Sequence, residues 1–392
     1  MEKIPAKSVA VVCEYNPYHY GHKYQTELLS KEYETVVGIM SGDFVQRGEV
    51  AVADKYLRAA VAVDNGMNLI LELPFPYCCL SARDFAFSAV QIAVSAGVDA
   101  LAFGAEAGDD GKGLLFEIAE LIGRESFESD LKSTIKGQGG LSYARARALL
   151  VSEKLGLEAG EMLSKPNNIL AVEYIRAANI LGSSLEIRVI QRESGFSSSS
   201  AIREKLFSGG GLEGEIPTAE RFLSLSEHEF PRRLKNAERA IFAVLRSKTA
   251  EGLENIYGMD EGLACAILEG AEKTASIEEL YTFCTGKVYT LSRVRRGVLC
   301  AVLGVTEFEA HQKPVFTLLL GADEKGCAFL AERRRDETSF PIITKPAVVK
   351  SLSAEICQSF EYGMKASAFA ELCAPELLPA VSHYRKTPYI KR

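Results

Sequence analysis

His19 and His22 stand three positions apart with Gly21 between them, in the run Cys13-Glu14-Tyr15-Asn16-Pro17-Tyr18-His19-Tyr20-Gly21-His22. This HxGH element directly follows a short apolar, β-branched stretch and opens a helix-length segment. A strand–turn–helix context of this kind offers unpaired backbone N–H groups and the positive end of a helix dipole, both suited to phosphate. Gly21 lets the backbone turn closely beneath such a group, and two imidazoles can hydrogen-bond its oxygens. The chemistry these residues permit is stabilisation of charge on an α-phosphate and a leaving pyrophosphate during in-line attack, with no covalent intermediate on the protein.

A second anion site is written into Ser198-Ser199-Ser200-Ala201-Ile202-Arg203. The hydroxyls of Ser199 and Ser200, the amides of a helix N-terminus and Arg203 one turn further suit β- and γ-phosphates. Alone the run reads as a serine-capped helix; paired with HxGH it becomes specific.

The elements that must position these residues alternate along the first half. Ser8–Cys13, Thr35–Met40, Asn68–Leu73, Ala100–Phe103 and Glu186–Ile190 read as strands. His22–Tyr33, Val50–Asn65, Ala82–Ala96, Gly113–Ile122, Leu141–Leu155, Asn168–Leu181 and Ser199–Phe207 read as helices. Strand and helix in alternation imply an α/β fold with a Rossmann-like, doubly wound parallel sheet and ligands at the carboxyl ends of its strands. The Gly-rich stretch after Phe207 breaks the pattern and marks a boundary, giving units of 1–206 and 207–392. Gly209, Gly211 and Gly214 satisfy GxGxxG there, but they follow a helix rather than a strand and read as an interdomain loop. The second unit is helix-rich (Arg232–Lys248, Gly262–Lys273, Ile277–Cys284, Ser292–Leu303), with an apolar run Pro314–Leu320 of strand character, hence α+β.

Composition narrows the class. The chain has 392 residues, 47% of them hydrophobic, and a net charge of −7, which excludes disorder, collagen and a disulfide scaffold. No run approaches the ~20 apolar residues of a membrane span, and the N-terminus lacks a signal peptide's apolar region, so a cytoplasmic protein is expected. The nine cysteines form no CxxC pair, which points to buried thiols rather than zinc or redox chemistry. The absence of GxxxxGK[ST] and HExxH removes P-loop and zincin mechanisms.

The HxGH and SSSxIR elements together resemble the HIGH-type nucleotidyltransferase superfamily. The blocks VVCEYNPYHYGHKYQ, GIMSGDFVQRGEVAVADKYLRA, LILELPFPY, LAFGAEAG, KPNNILAVEY and FSSSSAIR, in this order over residues 8–206, are similar to the tRNA(Met) cytidine acetate ligase family. The resemblance implies a nucleotidyltransferase-type catalytic domain that binds ATP, activates acetate as acetyl-adenylate and acetylates the N4 amine of the wobble cytidine of elongator tRNA(Met). It implies ATP as substrate with Mg²⁺ beside it, and neither a membrane nor DNA as partner. Carried onto this chain, the ATP contacts fall on Val12, Cys13, Glu14, Tyr15, Asn16, Pro17, Tyr18, His19, Tyr20, Gly21, His22, Lys23, Tyr24 and Gln25, and on Gly104, Asn168 and Arg192. His19 and His22 are the implied catalytic pair, with no metal ligand set among the site residues. Gly104 would leave room for an adenosine, Asn168 would read a base or ribose through its amide, and Arg192 would clamp phosphate.

Asp43, Gln46 and Arg47, in SGDFVQRG, and Lys55 follow the second strand. They form either a polar cluster that binds acetate or orients the cytidine, with Asp43 accepting its amine proton, or a solvated loop. Glu72 and Glu106 end strands, where they can satisfy loop amides. In the second half, Arg232, Arg233 and Lys235, then Arg293, Arg295 and Arg296, then Arg333–Arg335, and finally Tyr384, Arg385, Lys386, Tyr389, Lys391 and Arg392 form candidate basic patches for tRNA phosphates and an unstacked base. Thr317 stands where the resemblance leads one to expect an arginine, a departure that bears on tRNA holding and not on ATP chemistry. Two rival readings remain open to the sequence: a superfamily enzyme with a non-RNA acceptor, and a non-catalytic, nucleotide-gated RNA-binding protein.

Overall fold

A computed structural model describes residues 6–107, 111–137, 141–191, 195–224, 229–333, 340–380 and 385–392. In the first half, strands β1 (Ser8–Cys13), β2 (Thr35–Ser41), β5 (Leu69–Leu73), β6 (Ala100–Ala105) and β7 (Glu186–Gln191) pair in parallel in the order β5-β2-β1-β6-β7. Two short strands, β3 (Phe44–Val45) and β4 (Glu49–Val50), form a separate antiparallel hairpin after β2. The sequence SVAVVC can serve a strand covered on both faces because its alternate side chains enter different cores. Val9 and Val11 join one buried cluster and Ala10 the other. The register pairs Ser8 with Thr35 and Cys13 with Met40, so β1 and β2 end side by side.

The helices of this half are α1 (Tyr20–Glu32), α2 (Lys55–Asp64), α3 (Ala82–Ser95), α4 (Lys112–Gly123), α5 (Glu125–Gly137), α6 (Tyr143–Leu155), α7 (Leu157–Met162), α8 (Pro166–Ile180) and α9 (Ser199–Phe207). The helix expected from Val50 starts instead at Lys55, because Glu49–Val50 pairs in the hairpin and the Asp54 side chain caps the helix by accepting from the Tyr56 N–H at 2.8 Å. Helix α5 carries little apolar periodicity for a sequence to show, since only Phe127 and Leu131 of it are buried.

The second half contains α10 (Ala219–Leu223), α11 (Glu238–Arg246), α12 (Glu261–Lys273), α13 (Ile277–Cys284), α14 (Leu291–Leu303), α15 (Glu307–His311), α16 (Glu324–Arg333) and α17 (Ala354–Leu372). It also extends the sheet. Strand β8 (Thr317–Ala322) pairs antiparallel with β5, and β9 (Ile342–Ile343) and β10 (Tyr389–Ile390) pair in parallel with β8, making eight strands. The apolar run Pro314–Leu320 thus supplies most of a strand buried within the sheet of the first half. Six of the nine cysteines, Cys13 among them, are buried, and burial pushes the Cys13 thiol up to about 12. Among the described residues no helix is long and apolar enough to cross a membrane.

Candidate active site

The chain leaves β1 through Glu14 and Tyr15, the latter held at φ 44° in the left-handed region, a conformation an aromatic residue adopts only when its surroundings impose it. Tyr15 and Tyr18 are buried and pack edge to face at 4.8 Å, and Tyr15 meets the His22 ring at 5.0 Å. His19 is the N-cap of α1. Its Nδ1 accepts from the Gly21 N–H at 3.0 Å, and His22 Nδ1 accepts from the His19 N–H at 3.3 Å, a reciprocal capping box. The two rings stack at 3.8 Å. With each Nδ1 held as an acceptor, the neutral imidazoles carry their protons on Nε2. A Cβ on Gly21 would lie 2.9 Å from His19 Cε1, so the glycine is what admits this ring position.

Arg58, which no sequence motif marks, ties the ends of β1 and β2 together. It is fully buried on α2 and donates to Ala53 O and Ser41 O at 3.1 Å each, and to Glu14 O and Gly42 O. Five N–H donors in a rigid fork suit a site where several strand-end carbonyls converge. The available signal was an arginine inside the apolar stripe of KYLRAAVAVD.

The second anion element begins α9 as expected: Ser198 caps the helix, accepting from the Ala201 N–H at 3.2 Å. Arg203 reaches back to the first element, donating to Asn16 O at 2.8 Å and to Ser200 Oγ at 3.2 Å, and pairs with Glu49 at 3.3 Å. The HxGH loop and the serine-rich helix start are therefore joined by one guanidinium.

Gly104, the last residue but one of β6, lines the cleft, and a Cβ built there meets nothing within 4 Å among the described residues. Asn168 is buried, and its side-chain oxygen accepts from the backbone N–H groups of Glu106 and Ala107 at 2.8 and 3.0 Å. Its visible work is to tie the loop after β6 to the start of α8. Glu106 completes that tie from the other side, accepting from Asn167 Nδ2 and Asn168 N, the amide-satisfying role expected of it. Arg192 lies outside the described residues.

The four residues after β2 separate. Gln46 and Arg47 line the cleft. Asp43 and Lys55 do not: they lie in a buried ionic cluster in which Lys55 Nζ is 2.7 Å from Glu72 and 3.4 Å from Asp43, and Ser367 Oγ donates to Asp43 at 2.6 Å. Burial alone disfavours the Lys55 charge, but Glu72 and Asp43 outweigh it and hold its pKa above the ordinary lysine value.

The same cluster takes in Arg232, which is buried against Glu371 at 2.7 Å and faces Asp43 at 3.6 Å. The expected basic patch at 232–235 thereby loses its first member to the interior. Arg233 lies over the Phe207 ring at 4.7 Å, and Arg333 donates to Ser95 O at 3.1 Å and Phe340 O at 3.2 Å. In the C-terminal run, Lys386 pairs with Asp54 at 2.6 Å and the Tyr389 hydroxyl donates to Asp64 at 2.8 Å. Arg334, Arg335 and Tyr384 lie outside the described residues. Arg293, Arg295 and Arg296, by contrast, face the cleft from α14. Thr317 is fully buried, its hydroxyl donating to Glu72 O at 2.6 Å.

These walls enclose an open cleft of about 1380 Å³ at the carboxyl ends of β1, β6 and β7, with α14 opposite. A sheet whose parallel strands β1 and β7 are followed in sequence by an HxGH helix start and a serine-rich one has the site of a nucleotidyl-transferring enzyme, and the model of the family HIGH Nucleotidyl Transferase matches residues 6–382. The chain is 33% identical over 365 residues to the tRNA(Met) cytidine acetate ligase of Thermoanaerobacter sp. (strain X514), covering 87% of this chain and 89% of that protein. It is 35% identical to that of Caldanaerobacter subterraneus subsp. tengcongensis, covering 88% and 90%. Among solved structures, Thermotoga maritima TmcAL in its apo form I superposes with a TM-score of 0.91 at 27% identity, over 98% of this chain and 99% of that one. The same protein bound with alpha-thio ATP gives 0.90 at 28% identity, with the same coverage. The chain belongs to the tRNA(Met) cytidine acetate ligase family.

Proposed function

We propose that this chain is an ATP-dependent acetate ligase that forms acetyl-adenylate and passes the acetyl group to the N4 amine of the wobble cytidine of elongator tRNA(Met), in the cytoplasm. The observation that carries the reading is the pair of stacked imidazoles at the start of α1, both oriented by backbone N–H groups so that Nε2 is the donor. The names of its relatives supply the acceptor and the acyl donor, and the neighbour bound with alpha-thio ATP supports the nucleotide.

In the first step an acetate oxygen attacks the α-phosphorus, an O–P bond forms, and the bond to the β-phosphate oxygen breaks to release pyrophosphate. His19 and His22 donate from Nε2 to the α-phosphate oxygens as charge builds there, with the first amides of α1 beside them. Ser199, Ser200 and Arg203 hold the β- and γ-phosphates. In the second step the cytidine amine attacks the acetyl carbonyl, AMP leaves, and the amine gives up a proton. Gln46 and Arg47 line the cleft wall and are the candidates for contact with acetate or the cytidine.

Mg²⁺ is expected to travel with ATP. No group of three or more His, Cys, Asp or Glu side chains among the described residues is arranged to hold a metal. Glu14 accepts from the Gln46 N–H and Glu49 is paired with two arginines. Both carboxylates are thus engaged with donors of the protein itself, and a Mg²⁺ arriving with ATP would be held chiefly by phosphate oxygens and water.

The test is transfer of radiolabelled acetate into acid-insoluble RNA with ATP and bulk tRNA, followed by nucleoside analysis. N4-acetylcytidine formed only with ATP is the expected result. Acetate-dependent pyrophosphate exchange without RNA label would mean a different acceptor, and ATP binding without pyrophosphate release would point to a nucleotide-gated binder. Replacing His22 by Ala is expected to lower exchange by about 10²–10³-fold, the usual cost of one transition-state donor, while the thermal midpoint barely moves.

A further inference from the structure

We propose that Arg295 and Arg296 of α14 are ligands for the β- and γ-phosphates, so that the second half of the chain completes the triphosphate site. This rests on reading the cleft as an ATP site.

The contacts lead from one phosphate element to the other half of the molecule. Arg203, anchored on Asn16 O and Ser200 Oγ, shares the Glu49 carboxylate with Arg295: one oxygen faces Arg203 at 3.3 Å and the other is paired with Arg295. Arg296 Nη1 donates to Gln46 O at 3.4 Å, and the Gln46 N–H donates to Glu14 at 2.9 Å. Both arginines therefore stand one or two side chains from the residues that follow β1 and begin α9.

Gly48 sets this spacing. Its φ is +76°, and a Cβ there would lie 2.7 Å from Arg296 N and 2.8 Å from the Arg295 carbonyl carbon, so the hairpin turn rests directly on the backbone of α14. That contact holds the two guanidiniums at the cleft wall.

Charge points to the occupant. On the wall formed by the hairpin, α9 and α14, Arg47, Arg203, Arg295 and Arg296 stand with Glu14 and Glu49, an excess of two positive charges among the described residues there, with Glu49 shared by Arg203 and Arg295. Arg295 is held over the Tyr281 ring at 5.5 Å, and its buried Nε has no hydrogen-bond partner among the described residues. Guanidiniums with spare donors match a polyanion of closely spaced oxygens, which they can bind bidentately. The Arg295 side chain is only 26% exposed, which favours a ligand that enters the cleft over an RNA backbone laid across its rim.

The experiment is calorimetric titration of the full chain with ATP and, separately, with AMP, which lacks the β- and γ-phosphates. In Arg295→Met and Arg296→Met the Kd for ATP is expected to rise about tenfold or more, with the Kd for AMP within about twofold of wild type. Unchanged ATP affinity in both variants overturns the proposal, as does an equal loss for AMP, which would mean a purely structural role. Unchanged ATP affinity with weakened tRNA binding would assign the arginines to RNA instead. If either Met variant unfolds, Arg295→Lys and Arg296→Lys, which keep the charge but lose the fork, decide by the same ATP-to-AMP comparison. A wild-type chain that binds neither nucleotide would sink the reading of the cleft itself, whereas wild-type ATP binding that the variants retain sinks only this proposal.

Discussion

At His19 and His22 the geometry depends on one missing atom. The ring of His19 occupies space that a Cβ on Gly21 would enter, at 2.9 Å from Cε1 and 3.1 Å from Nδ1, so Gly21→Ala must move the ring or the helix start. We expect Gly21→Ala to lower acetate-dependent pyrophosphate exchange by about tenfold to a hundredfold, with the circular dichroism spectrum unchanged. Gly104 tests the opposite case, since no atom of the described residues lies within 4 Å of a Cβ there. Gly104→Leu should leave the thermal midpoint near that of wild type and weaken ATP binding more than tenfold in a titration, because the added side chain fills space otherwise open to ligand. Both glycines and both histidines were legible in the sequence. Arg58 was not singled out, because an arginine in an apolar helix gives no hint of which carbonyls it will meet.

Among elements, α2 shows how the two halves are fastened. Its N-cap, Asp54, also binds Lys386 from the C-terminal tail, and its last residue, Asp64, accepts from Tyr389. Burial by itself would raise the Asp54 pKa, but the charges of Lys386 and Arg232 outweigh it and hold the carboxyl below its ordinary value of 3.8. A depressed carboxylate adds stability that is complete above its unfolded pKa and lost as the pH falls through the folded one. The contribution is therefore complete at neutral pH and is lost progressively as the pH falls below about 4, through the folded pKa. Removing the cation by Lys386→Met lets the Asp54 pKa rise, so the onset of acid unfolding, followed by circular dichroism, should move to higher pH. The start of α2 shows why element boundaries escaped the sequence: Val50 and Asn65 bound a plausible amphipathic run, yet pairing of Glu49 and Val50 with Phe44 and Val45 takes its first residue into a hairpin, and the helix begins only after the Asp54 cap.

Across the whole molecule, the sheet is shared. Strand β8 covers the edge of β5 that residues 1–206 alone would leave open, and an uncovered apolar edge is prone to aggregate. We expect a fragment of residues 1–206 to bind a hydrophobic dye and to lack a cooperative thermal transition, whereas the full chain has one; a cooperatively folding fragment that binds ATP would instead make the boundary near 207 that of an independent unit. The sequence by itself determined the alternation of strand and helix, the HxGH and serine-rich helix starts, and the family, since each is a pattern of neighbouring residues whose turn, cap and strand chemistry is local. Only the tertiary structure decided that Asp43 and Lys55 are interior ions, that Arg232 leaves the surface to join them, and that α14 walls the cleft. Ser367 lies 324 positions from Asp43, and Arg295 lies 246 from Glu49. A buried charge is stable only beside its partner, and which partner arrives across such a separation is set by how the sheet and its helices close.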